Sequence, residues 1–474
     1  MTTSYRTATA DVQGLPLGAG RPGQYRRQGA RRHLARDALQ VLAWGSIALP
    51  VAVWLGSGGA TVTTVAGALT AVGVVTGLVA TASVVLMLWL SARVPIIDRT
   101  IGQDRAIALH SRLGQLTFGG LIAHGLFLIA GYALADGQGP VAEFLDLWGF
   151  GDFTLAVASI GLLAAVSASS VVAARRKLPF EAWHALHLLT YAAVLAALPH
   201  QFSMGGLFEA GFAHWYWVVL WLATFGVVLF YRVFTPMFTS IEHALVVSDV
   251  ARTAPDVVTI TMTGRRVDRL GASAGQYFHW RFLAPGLWWH QHPFSLSAQP
   301  TEGTLRISVR DLGAGSAALL DVKPGTRVAF EGPYGLFSDA ARTTDDVVMV
   351  GIGIGITPVR ALLEGTRFAP GRATVILRAS RADELYLLDE IEALCRAKGA
   401  RLYTLVGHRG HDAAGAALWV PAQYASTRLV DLCPAVADAD VYVCGPNAAA
   451  DLVVADAEAA GTPADQIHCE RFGW

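Results

Sequence analysis

His110-Ser-Arg-Leu-Gly-Gln-Leu-Thr-Phe-Gly-Gly-Leu-Ile-Ala-His124 and His187-Leu-Leu-Thr-Tyr-Ala-Ala-Val-Leu-Ala-Ala-Leu-Pro-His200 decide how this chain folds. Each is an apolar run with a histidine at either end. The first pair is fourteen positions apart (124 − 110). At about 1.5 Å of rise and 100° of turn per residue, that places the two rings about 21 Å apart and within about 40° of one helix face. Most of a hydrocarbon core of about 30 Å is crossed between them. The second pair is thirteen apart (200 − 187), about 140° from a common face on an ideal helix. It shares a face only if the helix is distorted, and Pro199, directly before His200, is a residue that distorts helices.

A lone histidine in a membrane helix reads as a packing or hydrogen-bonding residue. Four at paired depths read differently, because ionisable groups inside a bilayer are costly and mark function. Two helices that each offer histidines at two depths provide two bis-histidine haem sites, one near each membrane surface. His184, sixteen positions before His200, competes with His187 as a ligand.

The composition fits membrane segments. Of 474 residues, 53 % are hydrophobic and 15 % charged, against about a quarter charged in an average soluble domain. The charges cancel to zero, and no basic, aromatic-rich patch points to nucleic acid. Cys395, Cys433, Cys444 and Cys469 all fall late in the chain without a C-x-x-C. That spacing argues against zinc and a plant-type iron–sulfur domain, and for reduced cytosolic thiols.

Residues 1–36 are polar and set Arg6, Arg21, Arg26, Arg27, Arg31, Arg32 and Arg36 against one acid, Asp11. They are expected to form a disordered cytoplasmic tail. A transit peptide or twin-arginine signal has similar composition, but no cleavage site follows and the next apolar run belongs to a series. Six runs follow near 38–55, 62–90, 106–134, 153–174, 181–200 and 213–234, most near the roughly 20 residues a spanning helix needs. They predict a six-helix transmembrane haem domain over 37–235. Arg93, Arg99 and Arg105 lie between the second and third runs, and Arg175, Arg176 and Lys177 between the fourth and fifth. The alternate loops carry acids such as Asp136, Glu143, Asp146 and Glu209 without Lys or Arg. By the positive-inside rule both termini are cytoplasmic, the host being the plasma (cytoplasmic) membrane. His110 and His187 then lie at the inner ends of their helices and His124 and His200 at the outer ends, which pairs His110 with His187 and His124 with His200.

After Thr235 the pattern changes. Residues 240–340 alternate with period two between turn residues (VVTITMTG, GQYFHWRF, LRISVRD, RVAFEGP) and predict an antiparallel β-barrel. Residues 345–474 alternate apolar strands with helices and predict an α/β parallel-sheet domain. In the first of these, His292-Pro293-Phe294-Ser295 follows a strand holding Gly275, Gln276 and Tyr277, and offers an aromatic face, a hydroxyl and backbone amides to a flat ring. Arg306 and Arg310 lead into Gly313-Ala-Gly315-Ser316, where a pyrophosphate can approach backbone amides. In the second, Gly351-Ile-Gly353-Ile-Gly355-Ile-Thr357-Pro358 follows a strand and opens a helix, the context of a dinucleotide loop, although its G-x-G-x-G spacing is not the usual fingerprint. Cys444-Gly445-Pro446 ends the last apolar strand at the carboxyl edge, where open α/β sheets bind ligands.

The set His292-Pro-Phe-Ser295, Gly332-Pro-Tyr-Gly335, Gly351-Ile-Gly-Ile-Gly-Ile-Thr-Pro358 and Cys444-Gly-Pro446 resembles the ferredoxin-NADP reductase type of flavin and nicotinamide module. Joined to six apolar runs with these histidines, and to Phe180-Glu-Ala-Trp-His-Ala-Leu-His187, it resembles the ferric reductase and NADPH oxidase superfamily of transmembrane flavocytochromes b over residues 36–474. The resemblance implies a route from cytosolic NADPH or NADH through FAD and two haem b groups to an external acceptor. It makes His110, His124, His187 and His200 axial ligands. It puts His292, Pro293, Phe294 and Ser295 on FAD with Tyr277 beside it, and turns Arg310 and Ser316 towards its phosphates. Gly353, Gly355, Thr357 and Pro358 would line the nucleotide site, with Cys444, Gly445 and Pro446 flanking the nicotinamide. Phe472 or Trp474 would stack on the flavin, Phe472 being preferred. Arg381 and Arg409 follow sheet strands and would take a 2′-phosphate.

With both axial positions filled, such haems transfer electrons rather than activate a bound substrate. The expected acceptor is a ferric chelate, placed ahead of dioxygen because no EF-hand pattern is present. A quinone or periplasmic protein is a further enzyme reading, and a haem-bearing membrane subunit or sensor is the non-enzyme one.

Overall fold

The computed structural model describes residues 18, 23–59, 61–174, 178, 180–204 and 206–472. They form two compact units. One comprises residues 36–97 and 103–233; the other comprises the N-terminal segment up to Ala35, Asp98–Gly102 and everything from Phe234.

Among the described residues, six helices are long and apolar enough to cross a membrane: Gln24–Gly59, Val65–Ser91, Gln103–Asp136, Gly151–Ala173, Glu181–Ser203 and Gly211–His243. The chain is a multi-pass membrane protein. The second and third helices approach closely because glycines line their contact. A Cβ on Gly73 would come within 2.7 Å of Leu128, and one on Gly131 would collide with Thr70. Small residues are what let helices associate where burial from water supplies no drive. Buried indoles add polar ties: Trp217 and Trp221 of the sixth helix donate to Gln201 Oε1 of the fifth at 2.8 and 3.3 Å, and Trp89 of the second donates to Thr224 of the sixth at 3.1 Å.

Four expectations are corrected here. The first helix starts at Gln24, inside the stretch read as a disordered tail, because its first turns have a docking surface that composition does not reveal. The fifth apolar run is interrupted at Leu188, between Phe180–His187 and Leu189–Ser203, whereas Pro199 is accommodated within the second piece. The sixth run continues past residue 234 through a π-helical turn at Phe230–Phe234 to His243. Pro95–Ile101 and Pro140–Leu147, read as loops, are short helices. Arg175, Arg176 and Lys177, which carried part of the charge argument, lie outside the described residues.

The second unit opens with six strands, β1 (Val246–Ala254), β2 (Val257–Thr263), β3 (Tyr277–Phe282), β4 (His292–Ser295), β5 (Thr304–Arg310) and β6 (Val328–Tyr334). They make the expected antiparallel domain as two three-stranded sheets, β1-β2-β5 and β4-β3-β6, with no continuous ladder closing the barrel. The bridges Val246↔Arg327 and Leu296↔Ile307 join them, flanked by backbone bonds such as Val328 N–H to the Leu245 carbonyl at 2.9 Å and Ser297 N–H to the Arg306 carbonyl at 2.8 Å. The inward residues Ile260, Met262, Phe278, Trp280, Phe282, Ile307 and Phe330 form one core, and two facing sheets bury such a core without a continuous ladder.

The rest contains β7 (Asp346–Ile352), β8 (Ala373–Ala379), β9 (Arg401–Val406), a hairpin of β10 (Arg409–His411) and β11 (Ala417–Pro421), β12 (Ala439–Pro446) and β13 (Ile467–Phe472). Its five-stranded sheet runs β13-β12-β7-β8-β9 with every pairing parallel, and this is the expected α/β domain. Fully buried Asp440, near the start of β12, accepts from the Thr343 and Thr344 amides at 2.7 and 2.6 Å and meets His468 Nε2 at 2.9 Å. Burial alone would raise its pKa, but the bond and attraction to His468 and the threonine donors outweigh it and hold the carboxyl below its ordinary value. Asp440 therefore stabilises the fold above the usual carboxylate range, and that contribution is lost as pH falls through its depressed pKa. Asp440→Ala strands several buried donors and is expected to cost about 3–5 kcal/mol. A matching drop in the thermal midpoint, shrinking towards acid pH, is the expected outcome.

Candidate functional site

The membrane histidines are built outward from backbone carbonyls. His110 Nδ1 lies 3.0 Å from the Met87 carbonyl, and His124 Nδ1 lies 2.8 Å from the Gly73 carbonyl, both on the second membrane helix. A carbonyl only accepts, so Nδ1 carries the proton in each ring and Nε2 keeps its lone pair. Metal-ligating histidines are set in this way. The sequence did not bring out these carbonyls, nor Gly77, where a Cβ would collide with the His124 ring. The Gly73-Val-Val-Thr-Gly77 spacing was the available signal.

The boundary between the two pieces of the fifth helix, at Leu188, falls directly after His187. His187, on the near side of the break, has its ring centroid 6.1 Å from that of His110. Two metal–imidazole bonds of about 2 Å each, extended to the ring centres, span a comparable distance. His200 lies within electrostatic reach of His124. The Nδ1 atom of His187 is buried without a hydrogen bond among the described residues. Trp183 packs on His187 at 5.1 Å and donates to Ser170. The histidines fit two iron-bearing groups.

In the flavin-type lobe, the register puts Tyr277 between Ser295 and Tyr334, with the two tyrosine rings 5.8 Å apart. His292 and Phe294 lie parallel at 6.0 Å, with Pro293 between them on β4. Gly315 comes up to His292, where a Cβ would sit 3.7 Å from its ring; this brings the Gly313–Ser316 turn to the aromatic strand. Ser316 Oγ closes that turn by accepting from the Leu312 amide and donating to the Gly313 carbonyl. Arg310 is held by Asp256 at 2.8 Å and Glu384 at 3.3 Å, with Tyr386 beside it, so a phosphate would share it with two carboxylates. Ser295 Oγ donates to buried Glu470 Oε2 at 2.9 Å, joining β4 to β13. Glu470 was not singled out from sequence, since nothing in E-R-F-G-W distinguishes it.

The glycine loop is shaped by contact. Gly353 has a positive φ of 57°, and a Cβ on Gly355 would strike the Cys444 carbonyl. The chain thus turns tightly from β7 into the helix Ile356–Gly365, whose buried first turn holds Thr357, donating to the Ile354 carbonyl, and Pro358. Cys444 is completely buried in the apolar core beneath the sheet; its backbone, with Gly445 and exposed Pro446, is what reaches the edge. Phe472 pairs in register with Pro446, at the same edge, and Trp474 lies outside the described residues. Arg381 and Arg409 are exposed beyond the carboxyl ends of neighbouring strands β8 and β9, with Arg381 forked onto Asp383.

The family model described as ferric reductase like transmembrane component matches residues 76–198, which include His110, His124 and His187 and stop two short of His200 (200 − 198). A flavohemoprotein of Xylella fastidiosa is 30 % identical over 208 residues, 42 % of this chain and 51 % of that protein. Ferredoxin–NADP reductase B of Sorangium cellulosum is 30 % identical over 171 residues, 34 % of this chain and 68 % of that protein. Ferric reduction oxidase 7 of Arabidopsis thaliana is 31 % identical over 133 residues, 22 % and 18 % of the two chains. The chain spans about half the length of the flavohemoproteins it matches. A ferric-reductase-type membrane component joined to a ferredoxin-NADP reductase-type module defines the class. The reductase-type module belongs to the ferredoxin–NADP reductase family, and its junction to a ferric-reductase-like membrane component matches the architecture of ferric reductases and NADPH oxidases.

Gly77→Val fills the space beside the His124 ring. Expected is loss of about half the haem absorbance per chain, by removal of the site built on His124, with the His110 site retained; a pyridine haemochrome assay against protein concentration measures it.

Proposed function

We propose that this chain carries electrons across the plasma membrane, from NAD(P)H on the cytoplasmic side through FAD and two b-type haems to an external ferric chelate. The observation that carries the reading is the approach of the His187 ring to that of His110, 6.1 Å between centroids, with a carbonyl at Nδ1 of His110 and of His124 leaving Nε2 of each ring its lone pair. When bound, FAD takes the electron pair of a hydride and gives it up singly, and each haem passes one electron at a time.

The chain's own residues bind, orient and exclude water. His110 with His187 would hold the inner haem and His124 with His200 the outer one; Met87 and Gly73 fix the ring planes of one partner in each pair. Tyr277, His292, Pro293, Phe294 and Ser295 would cradle FAD, with Gly315 and Ser316 opening space for its phosphates. Ser295 and Glu470 form a buried hydroxyl–carboxylate pair that can hold a proton near the ring. Gly353, Gly355, Thr357 and Pro358 would shape the NAD(P)H pocket, Gly445 and Pro446 its nicotinamide end, and Arg381 and Arg409 would favour NADPH. Phe472, whose backbone pairs with Pro446, would cover the flavin. No general acid is required in the membrane. The ferric chelate is put first by the description of the family model and by the Arabidopsis relative's name.

The test is anaerobic absorbance of the purified chain after NADPH is added. Flavin bleaching followed by reduced b-type haem bands is expected, with the bands collapsing faster on a ferric chelate than on air. Faster collapse on air makes dioxygen the acceptor, and absence of haem bands removes the reading. His124→Ala should leave the inner haem reducible and cut chelate reduction by at least about tenfold, about 1.4 kcal/mol or more of barrier.

A further inference from the structure

The helix Gln24–Trp54 is unbroken, yet its first turns belong with the nucleotide-binding unit and the remainder with the membrane unit. Those first turns have two faces. Tyr25, Gly29 and Arg32 recur at i, i+4 and i+7, the spacing of one helix face, whereas Arg26, Arg27, Arg31 and Arg36 are exposed.

The first face is seated on a specific surface. Tyr25 is 3 % exposed, and its hydroxyl donates to the Arg367 carbonyl at 3.2 Å and accepts from Arg342 at 3.1 Å. The Arg342 guanidinium lies over the tyrosine ring, 4.1 Å from its centroid. Gly29 passes so close to Thr343 that a Cβ would be 3.4 Å from the threonine Cβ. Arg32 donates to the Ala341 and Asp465 carbonyls at 2.7 and 3.0 Å, and His33 meets the Asp465 carboxylate at 3.0 Å.

What is gripped matters. Residues 335–345 connect β6 of the flavin-type lobe to β7 of the nucleotide lobe, and Ala341, Arg342 and Thr343 are its centre. Arg342, 1 % exposed, spends its other donors on the Thr344, Asp345 and Arg367 carbonyls. A single residue thus fastens the β7 end of the connector to its middle at Asp339 and to the Arg367 carbonyl, and receives Tyr25 from the chain that leads into the first membrane helix.

We propose that Gln24–His33 is a clasp, and that Tyr25 and Arg32 are positioning residues for passage of electrons from the flavin lobe into the membrane histidines. The inference rests on the electron-transfer reading above. Neither residue touches the reacting groups. They act by fixing the connector that carries the flavin lobe, because electron tunnelling falls steeply with distance and small misplacements of reacting groups cost large factors in rate.

The test uses the full-length chain loaded with FAD and haem. Tyr25→Ala/Arg32→Ala is compared with wild type, with Arg31→Ala on the exposed face, and with Tyr25→Phe, which keeps the ring under Arg342. Two rates are read: NADPH-driven reduction of ferricyanide, which takes electrons directly from the flavin, and NADPH-driven reduction of the haem bands in anaerobic stopped flow. Expected is a fall of about tenfold or more in haem reduction in the double variant, with ferricyanide reduction within about twofold of wild type, near-normal behaviour of Arg31→Ala and partial rescue in Tyr25→Phe. In addition, Gly29→Cys/Thr343→Cys should form a disulfide, since Cβ atoms about 3.5–4.5 Å apart are bridged readily, and the locked protein should retain haem reduction. Unchanged haem reduction in the double variant, an equal fall in both rates, failure of the cysteines to join, or a block on locking would each overturn the clasp. If wild type itself passes no electrons to haem, the failure belongs to the electron-transfer reading.

Discussion

The approach of the second and third membrane helices is the constraint on which the functional geometry depends. Gly73 and Gly77 remove the side chains that would stand between them, and the third helix then lies close enough for His124 to donate to a carbonyl of the second. About four turns along, His110 does the same to Met87. In a bilayer a ring N–H has no water to satisfy it, so the carbonyl serves two ends: it completes a hydrogen bond and fixes the tautomer that leaves Nε2 for a metal. The opposing histidines, His187 and His200, stand on either side of the boundary at Leu188.

The nucleotide-binding unit is held together by buried polar networks as well as apolar cores. Arg306 of β5 donates to Ser297 and to Glu390, and Arg360 bonds both Glu390 and Glu364. These groups are largely buried, so removing one partner would leave an uncompensated charge, which is far more costly than the intact network is stabilising. The network joins the flavin-type strands to the helices of the parallel sheet, as Ser295 and Glu470 do at the edge where cofactor and nicotinamide would meet. Specific orientation of two lobes is what such paired polar contacts provide.

Much of this was legible in the sequence because it follows from periodicity. The six spans, the strands, the parallel sheet and the glycine turn after β7 all come from local pattern, and His110 and His124 share a face by arithmetic alone. What was not legible depends on contact between distant residues. The segment from Gln24 reads as a polar tail until its partners Arg342, Thr343 and Asp465 are known. The closed barrel was expected from alternation, but alternation fixes which face is buried and not whether ladders join. Arg310 looked free for a phosphate because Asp256 and Glu384 lie 54 and 74 positions away. Cys444 was read as a lining side chain, and that side chain is buried in the core, with its backbone at the sheet edge.

The central claim is that one chain holds two six-coordinate haems between two pairs of histidines. Haem-to-flavin stoichiometry of the purified protein, combined with low-temperature electron paramagnetic resonance of its oxidised form, tests it most directly. The account predicts two haems per FAD, both low-spin with bis-histidine signals, and loss of one signal in a variant of either pair. A single haem per FAD, or a high-spin signal from an open coordination position, would contradict it.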